Sequence, residues 1–279
     1  MTTLVTGGRG KVARHLIGLL HARGSAVRAG SADPDGLDLP VGVPAVRCDL
    51  GDPATFTAAL EGVTAVFLYA DASYAEEFLV EADRAGVRHI VLLSSAAVLA
   101  PDPGANAIAR LHLDAEKALA ASSIASTLLR PGAFAANALQ WAPALRAAGA
   151  VDLPYPRAHT DPIHEADIAE VALAAFDAAR PGCAAHTLTG PESLTFQQQL
   201  DRIAQVTGRP VAVNAVSRET ARKSMAAHMP EAVVDVLLDM WESAQDTPAE
   251  ITRTVEQLTG RPARSFAAWI EDHAGHFIL

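Results

Sequence analysis

The segment Val5-Thr6-Gly7-Gly8-Arg9-Gly10-Lys11-Val12-Ala13 constrains the fold more than any other stretch of the 279-residue chain. It follows Thr3-Leu4-Val5-Thr6, which reads as a strand. It leads into Gly10 to Arg23, which places Val12, Leu16, Leu19 and Leu20 on one side of a helix that stops at Gly24. Gly7 permits a tight turn, Gly10 lets a bound group approach the backbone, and small Ala13 lets the helix lie close on a sheet. A strand, a glycine turn and a helix start leave free amides converging on one point, which suits a diphosphate. The competing reading is a plain glycine-rich strand–helix turn.

The same alternation continues. Ala26–Ala29, Val43–Arg47, Ala65–Ala70, His89–Ser94 and Ser126–Arg130 read as strands. Between them, Asp52-Pro53 opens a helix that Gly62 closes, and Ser73 with Glu76 has capping-box spacing before a helix ending at Gly86. Ile108 to Ala121 is the next helix. Strands alternating with helices imply parallel pairing and right-handed crossovers, hence an α/β, Rossmann-type doubly wound sheet. The second half is less regular. It reads as a helix over Asp167–Ala178, a strand over Ala185–Thr189, a helix from the Thr195/Gln198 capping box to Gly208, and a strand over Val211–Val216. Helices then start at Ser217, Pro230, Thr247 (with Glu250 as a further capping box) and Ser265. The expected division is a nucleotide-binding core over 1–133 and a smaller, mostly helical cap over 134–279, with segments near 151–190 returning to the core.

A formal net charge of −10 with no basic run argues against a nucleic-acid groove, which needs clustered cations. No apolar run approaches the ~20 residues that span a bilayer. Cys48 and Cys183 match no metal or redox spacing and read as buried free thiols. The chain enters its first strand too early for a signal peptide to precede the glycine loop. The expectation is a soluble cytoplasmic protein with a small-molecule partner, no nucleic acid and no membrane; a homodimer is left open.

Proteins that hold NAD usually carry an acid ~20 residues past the glycine loop, at the end of strand two. Here that place is Gly30-Ser31, and Asp33 falls in the following loop. Arg9 precedes the central glycine and Arg28 lies on strand two, and a cation near the adenine ribose suits a 2′-phosphate. These residues predict NADP(H) in preference to NAD(H). The competing reading makes Arg9 a solvated loop residue and Arg28 an ion pair on the sheet. Asp49, after strand three, either accepts from the adenine amine or caps a turn.

The glycine loop, Asp49-Leu50, Ser94-Ser95, His112 to Lys117, Leu129 to Phe134, Pro162 to Ala169, Leu188 to Glu192 and Leu258 to Pro262 occur in an order that resembles the atypical short-chain dehydrogenase/reductases, specifically the NmrA-like group. That group includes quinone and azo-compound reductases and redox-sensing regulators. The resemblance implies that Gly7, Arg9, Gly10, Lys11 and Val12 touch the phosphates and that Asp49 and Leu50 flank the adenine. It also implies that Tyr69, Ala70 and Asp71 line the cofactor and that Ser94 approaches the nicotinamide. Pro131, Gly132, Ala133 and Phe134 would cover the nicotinamide and open into the substrate pocket. Relatives often carry arginine where this chain has Ser31. The Tyr-x-x-x-Lys pair of the wider superfamily is replaced by Ile108 and His112.

Reducing a simple ketone creates an alkoxide that needs a nearby acid, whereas a quinone yields a delocalised phenolate that needs far less help. The missing tyrosine therefore predicts an activated acceptor: a quinone, conjugated enone or related aromatic. His112, Ser95 and Tyr69 are the candidate substitute acids. Each has a bland counterpart: a helix-face histidine, a strand-end cap and a cofactor-lining ring. His159, Asp161 and His164 precede a helix; Asp161 and His164 are read as pinning a loop rather than binding metal. Met225, Met229, Met240 and Trp241 read as cap packing rather than walls of an apolar site. Two other functions stay open: a non-catalytic NADP(H) sensor that binds a partner protein, and a non-redox tailoring enzyme (epimerase, dehydratase or cyclase).

Overall fold

The structure, a computed structural model, describes residues 2–104, 106–177 and 184–278. In chain order its first half holds β1 (Thr2–Val5), α1 (Lys11–Ala22), β2 (Ala26–Ser31), β3 (Ala45–Arg47), α2 (Phe56–Leu60), β4 (Ala65–Tyr69), α3 (Ala75–Arg84), β5 (His89–Leu93), α4 (Ala107–Ala121) and β6 (Ala125–Pro131). The second half holds α5 (Ala142–Ala148), β7 (Ala150–Leu153), β8 (His159–Thr160), α6 (Glu165–Asp177), β9 (Ala184–Leu188), β10 (Leu194–Thr195), α7 (Phe196–Thr207), β11 (Ala212–Ala215), α8 (Arg218–Ala226), α9 (Glu231–Ser243), α10 (Thr254–Thr259) and α11 (Phe266–His273).

Seven strands form one parallel sheet in the order β3-β2-β1-β4-β5-β6-β9. Helices cover both faces, so β5 is buried along its whole length and β4 up to Tyr69, as expected of central parallel strands. One face packs Val12, Leu16, Ile17 and Leu20 of α1 with Ile168, Val171 and Ala172 of α6. The other packs Phe56, Phe78, Leu79 and Leu119 from α2, α3 and α4. The strand order reverses direction between β1 and β4, and open α/β sheets bind ligands at the strand ends beside such a switch.

The helices beyond the sheet have a core of their own, built from Trp141, Leu153, Phe196, Leu200, Leu238, Phe266, Trp269 and Phe277. Met225, Met229 and Trp241 pack against it, while Met240 is 43% exposed. Trp269 of α11 donates its indole N–H to Glu165 Oε2 of α6 at 2.8 Å, which ties this part to the sheet.

Most predicted elements are present to within a residue or two; the exceptions are local. Ser73 does not cap α3. The Ser73 amide instead donates to Asp71 Oδ1 at 2.9 Å in a turn, and the helix starts at Ala75. Thr247 and Glu250 form no capping box either; that stretch is irregular, and α10 starts at Thr254 after Arg253. The amide of Ala249 there donates to Ser193 Oγ at 2.8 Å, and Thr252 bonds to Thr189, so tertiary partners replace the helix ladder. The Thr195/Gln198 box and the Ser217 and Ser265 caps are formed. β7 carries no period long enough to be read from sequence; it pairs in parallel with β11 and buries Val151 and Leu153. Cys48 is a buried free thiol; Cys183 and Ala178 lie outside the described residues.

Candidate dinucleotide and acceptor site

Gly7 adopts φ 61°, the left-handed turn conformation that favours glycine. The Gly8 amide donates to Gly30 O at 2.8 Å and the Gly10 amide to Gly7 O at 2.7 Å, which folds the loop tightly against β2. No side chain of the capping residue, Gly10, closes the start of α1, so the first-turn amides of Lys11, Val12 and Ala13 are presented there. Val12 and Ala13 are themselves buried against the sheet.

Tyr69, at the end of β4, fills the cradle from the side. A Cβ at Gly7 would lie 2.7 Å from its Cδ2, and one at Gly10 would lie 2.2 Å from its Oη. Both glycines are thus needed to admit the tyrosine ring as well as any ligand. The Gly10 contact places the phenol hydroxyl at the start of α1, near the Ala13 amide. Ala70 follows half-buried, and Asp71 turns the chain through its bond from Ser73.

At the end of β2 the Arg9 guanidinium reaches across to the Asp33 carboxylate, an exposed pair with 56% and 61% of the side chains accessible. Ser31 is buried, and its hydroxyl donates to Asp33 O at 3.0 Å, which fixes the loop beside Arg9. Arg28 does not join this group. Its Nη1 donates to Ala59 O at 2.8 Å and Glu61 O at 3.0 Å, closing the C-terminal end of α2, because strand alternation directs it to the sheet face that α2 covers. Asp49 accepts the Gly51 amide at 3.0 Å as a turn cap, and Leu50 packs half-buried on the core.

Beyond β5 the polar groups close on each other. Ser94, expected near the nicotinamide, is 2% exposed and donates to Glu116 Oε1 at 2.5 Å. Its hydroxyl is enclosed between β5 and α4 rather than open to a ligand. Arg130 completes the network with Nε 2.9 Å from Glu116 Oε1 and Nη2 2.6 Å from Oε2. Ser95 accepts the Ala97 amide at 3.2 Å as the cap of a short turn over Ala96–Leu99. His112, one turn before Glu116 on α4, is different: its Nδ1 is buried and has no partner among the described residues. Burial lowers its pKa below the ordinary 6.5, opposed by the Glu116 charge, so the ring is neutral at neutral pH.

The strand-six loop is braced from below by Asp161. Its Oδ1 accepts the Ala133 amide at 2.9 Å. A Cβ at Gly132 would lie 1.9 Å from Oδ2, so only glycine fits there. Ile163 donates to Ala133 O and Ala135 to Ile163 O, both at 2.8 Å, which holds Phe134 beside β6. Pro131 is the last residue of β6. Burial pushes the Asp161 carboxyl up to about 6, against the Ala133 amide that favours its charge. The pinning role assigned to Asp161 from sequence matches this geometry. His164 pins a different feature: its Nδ1 accepts the Ala166 amide at the start of α6, and Nε2 faces Asp272 at 3.3 Å. His159 Nδ1 lies 3.0 Å from Ser193 Oγ. Sequence reading missed the Ser94–Glu116–Arg130 network, whose members lie on three separate elements.

The cradle and the orphaned His112 nitrogen fit a dinucleotide lying across the β1/β4 switch. Residues 7–179 match the NAD(P)H-binding family. The chain is 36% identical to a (4-alkanoyl-5-oxo-2,5-dihydrofuran-3-yl)methyl phosphate reductase from Streptomyces griseus over 98% of both chains. It is 32% identical to an NAD(P)H azoreductase from Xenophilus azovorans, again over 98% of each. Its fold is shared with the NADPH-dependent quinone oxidoreductase of Escherichia coli in complex with NADPH (TM-score 0.81, 23% identity, 98% of this chain and 99% of that one). The match over the glycine loop, the sheet and α6, together with relatives that run end to end, places this chain in the NAD(P)H-binding family.

Proposed function

We propose that the protein is an NADP(H)-dependent oxidoreductase that reduces an activated small-molecule acceptor: a quinone, a conjugated enone or a related aromatic. The observation that carries the reading is the composition of α4, where Ile108 and the neutral, unpartnered His112 stand in place of a tyrosine–lysine pair. Ser94, Glu116 and Arg130 bond among themselves and offer no free acid. Such a site favours acceptors whose reduced form is a stabilised anion. The 2,5-dihydrofuranone named for the Streptomyces griseus relative is an acyl-substituted enone of this kind, and we place the preferred acceptor in that class.

Nicotinamide supplies the hydride when bound. The first-turn amides of α1 would hold the diphosphate, and Arg9 beside Ser31 supports a 2′-phosphate and hence NADP(H) over NAD(H). His112 would take a ribose hydroxyl or relay a proton, and Phe134 would roof the reacting centre. In this reading residues 1–133 carry the cofactor and 134–279 shape the acceptor pocket. The enzyme works in the cytoplasm on small molecules, without nucleic acid or membrane.

The test is consumption of NADPH and NADH across quinones, enones and simple ketones, with product masses recorded. Reduction of enones or quinones with NADPH preferred is expected. Reduction of ketones alone overturns the acceptor class. Bound NADPH that no acceptor oxidises points to a sensor, and a product of unchanged oxidation level to a non-redox tailoring enzyme.

A further inference from the structure

Tyr69 enters the glycine cradle beside Gly7 and Gly10. Its hydroxyl lies 2.2 Å from where a Gly10 Cβ would stand, and its ring edge lies 2.7 Å from that of Gly7. Phe67 meets the ring edge-on at 5.8 Å between centroids, and the Tyr69 amide donates to Thr6 Oγ1 at 3.0 Å, so ring and backbone are both fixed. A phenol oxygen has two acceptor positions and one proton to give. Here the hydroxyl stands against Gly10 at the start of α1, with the Ala13 amide and the Arg14 charge nearby, and it has a proton to give. Burial raises the phenol above its ordinary 10.0, so that proton is retained at neutral pH.

A hydroxyl in this position shares the helix start with whatever anion binds there. Helix starts of this kind normally recruit backbone amides alone. We infer that the Tyr69 hydroxyl is a diphosphate ligand, donating its own proton to a diphosphate oxygen of the dinucleotide. The inference rests on the dinucleotide reading above and deepens it. Tyr69 acts on cofactor affinity and takes no part in proton transfer to the acceptor. It would give the loop a donor that is neutral, aromatic and independent of the backbone, and would explain why the cradle is cut to the outline of a tyrosine.

The experiment compares wild type with Tyr69→Phe, which keeps the ring and removes the hydroxyl, by calorimetric titration with two probes. NADPH carries the diphosphate; adenosine 2′-monophosphate carries the adenine end without it. Loss of a hydrogen bond to a charged group predicts about tenfold weaker NADPH binding in Y69F. Adenosine 2′-monophosphate affinity should not change. Tyr69→Leu, which also lacks the hydroxyl, should show the same selective loss and serves if Y69F melts below assay temperature. NADPH binding that is unchanged or tighter in the variants overturns the inference while leaving the dinucleotide reading intact. Equal losses for both probes also overturn it, as a general disturbance of the loop. A wild-type chain that binds no NADPH overturns both.

Discussion

Glu116 receives both arms of the Arg130 guanidinium while also accepting the Ser94 hydroxyl, with its side chain only 7% accessible. The three residues come from α4, β6 and the residue that follows β5, so the network clamps the helix that carries His112 onto the sheet. Removing one partner of a buried pair leaves a charge without compensation, typically costing about 3–5 kcal/mol. We expect Glu116→Gln to lower unfolding free energy by about that amount in urea titration. Replacing both charges at once, as in Glu116→Leu with Arg130→Met, should recover much of it. A single variant as stable as wild type would show that the clamp carries little.

The contact between Gly10 and Tyr69 makes a second expectation. An added methyl at Gly10 would fall 2.2 Å from the phenol oxygen, so Gly10→Ala must push the ring aside. Overpacking of this kind costs about 1–3 kcal/mol. Pairing it with Tyr69→Ala should restore the melting temperature, since the clash is then gone. Dinucleotide affinity should stay low in the double variant, because the donated hydroxyl is absent. Restored melting is the diagnostic half: an unrelieved loss would place the strain elsewhere in the loop.

Much of the sheet was legible because its signals are local: apolar runs of five or six residues, glycine stops after Ala22 and Leu60, and the loop from Gly7 to Gly10. The edges of the reading failed where tertiary partners outweighed a local motif. Thr247 and Glu250 have the spacing of a capping box, yet Ser193 and Thr189 capture the backbone of that stretch. The site was legible as a set of positions rather than as directions. Arg28 and Arg9 looked alike in sequence, and only strand alternation and the turn after β2 separate them. Asp161 was read as pinning a loop, but nothing in its neighbours said that the loop was that of Gly132 and Ala133.

Asp161 gives a pH signature. Its carboxyl is raised to about 6 in the folded chain, mainly by burial, against an ordinary value of 3.8. Between those values the folded state holds a proton that the unfolded chain has released. Stability therefore falls as pH rises from about 4 to about 6 and is level, for this group, above that. Asp161→Asn can still accept the Ala133 amide and carries no titratable proton. The difference in unfolding free energy between wild type and variant, followed from pH 4 to pH 7, should shift steadily in favour of the variant. A constant difference would mean that Asp161 titrates normally.

Arg9 and Asp33 should control cofactor choice in opposite directions. Arg9 is half-exposed and is neutralised by Asp33. Arg9→Ala should weaken NADPH about tenfold by removing a charge-assisted contact, and leave NADH unchanged. Asp33→Ala frees the guanidinium and should tighten NADPH relative to NADH. Equal effects on both nucleotides in either variant would place the 2′-phosphate away from Arg9.

His112 makes the last expectation, because its buried Nδ1 without a partner is the sharpest unmet demand in the site. If it meets a ribose hydroxyl, His112→Ala should raise the KM for NADPH about tenfold with the turnover number for a quinone nearly unchanged. If it relays a proton, the turnover number should fall instead. Burial lowers its pKa beneath 6.5, so wild type should hold its activity into mildly acidic solution and lose it only as the ring protonates. The variant should not show that acid limb. His112→Asn offers a neutral donor and acceptor on a shorter arm, and recovery of KM by this variant alone would identify a hydrogen-bonding role. An unaltered KM, turnover number and pH profile in His112→Ala would remove the residue from the site and leave Ile108 as the only sign that α4 faces the acceptor.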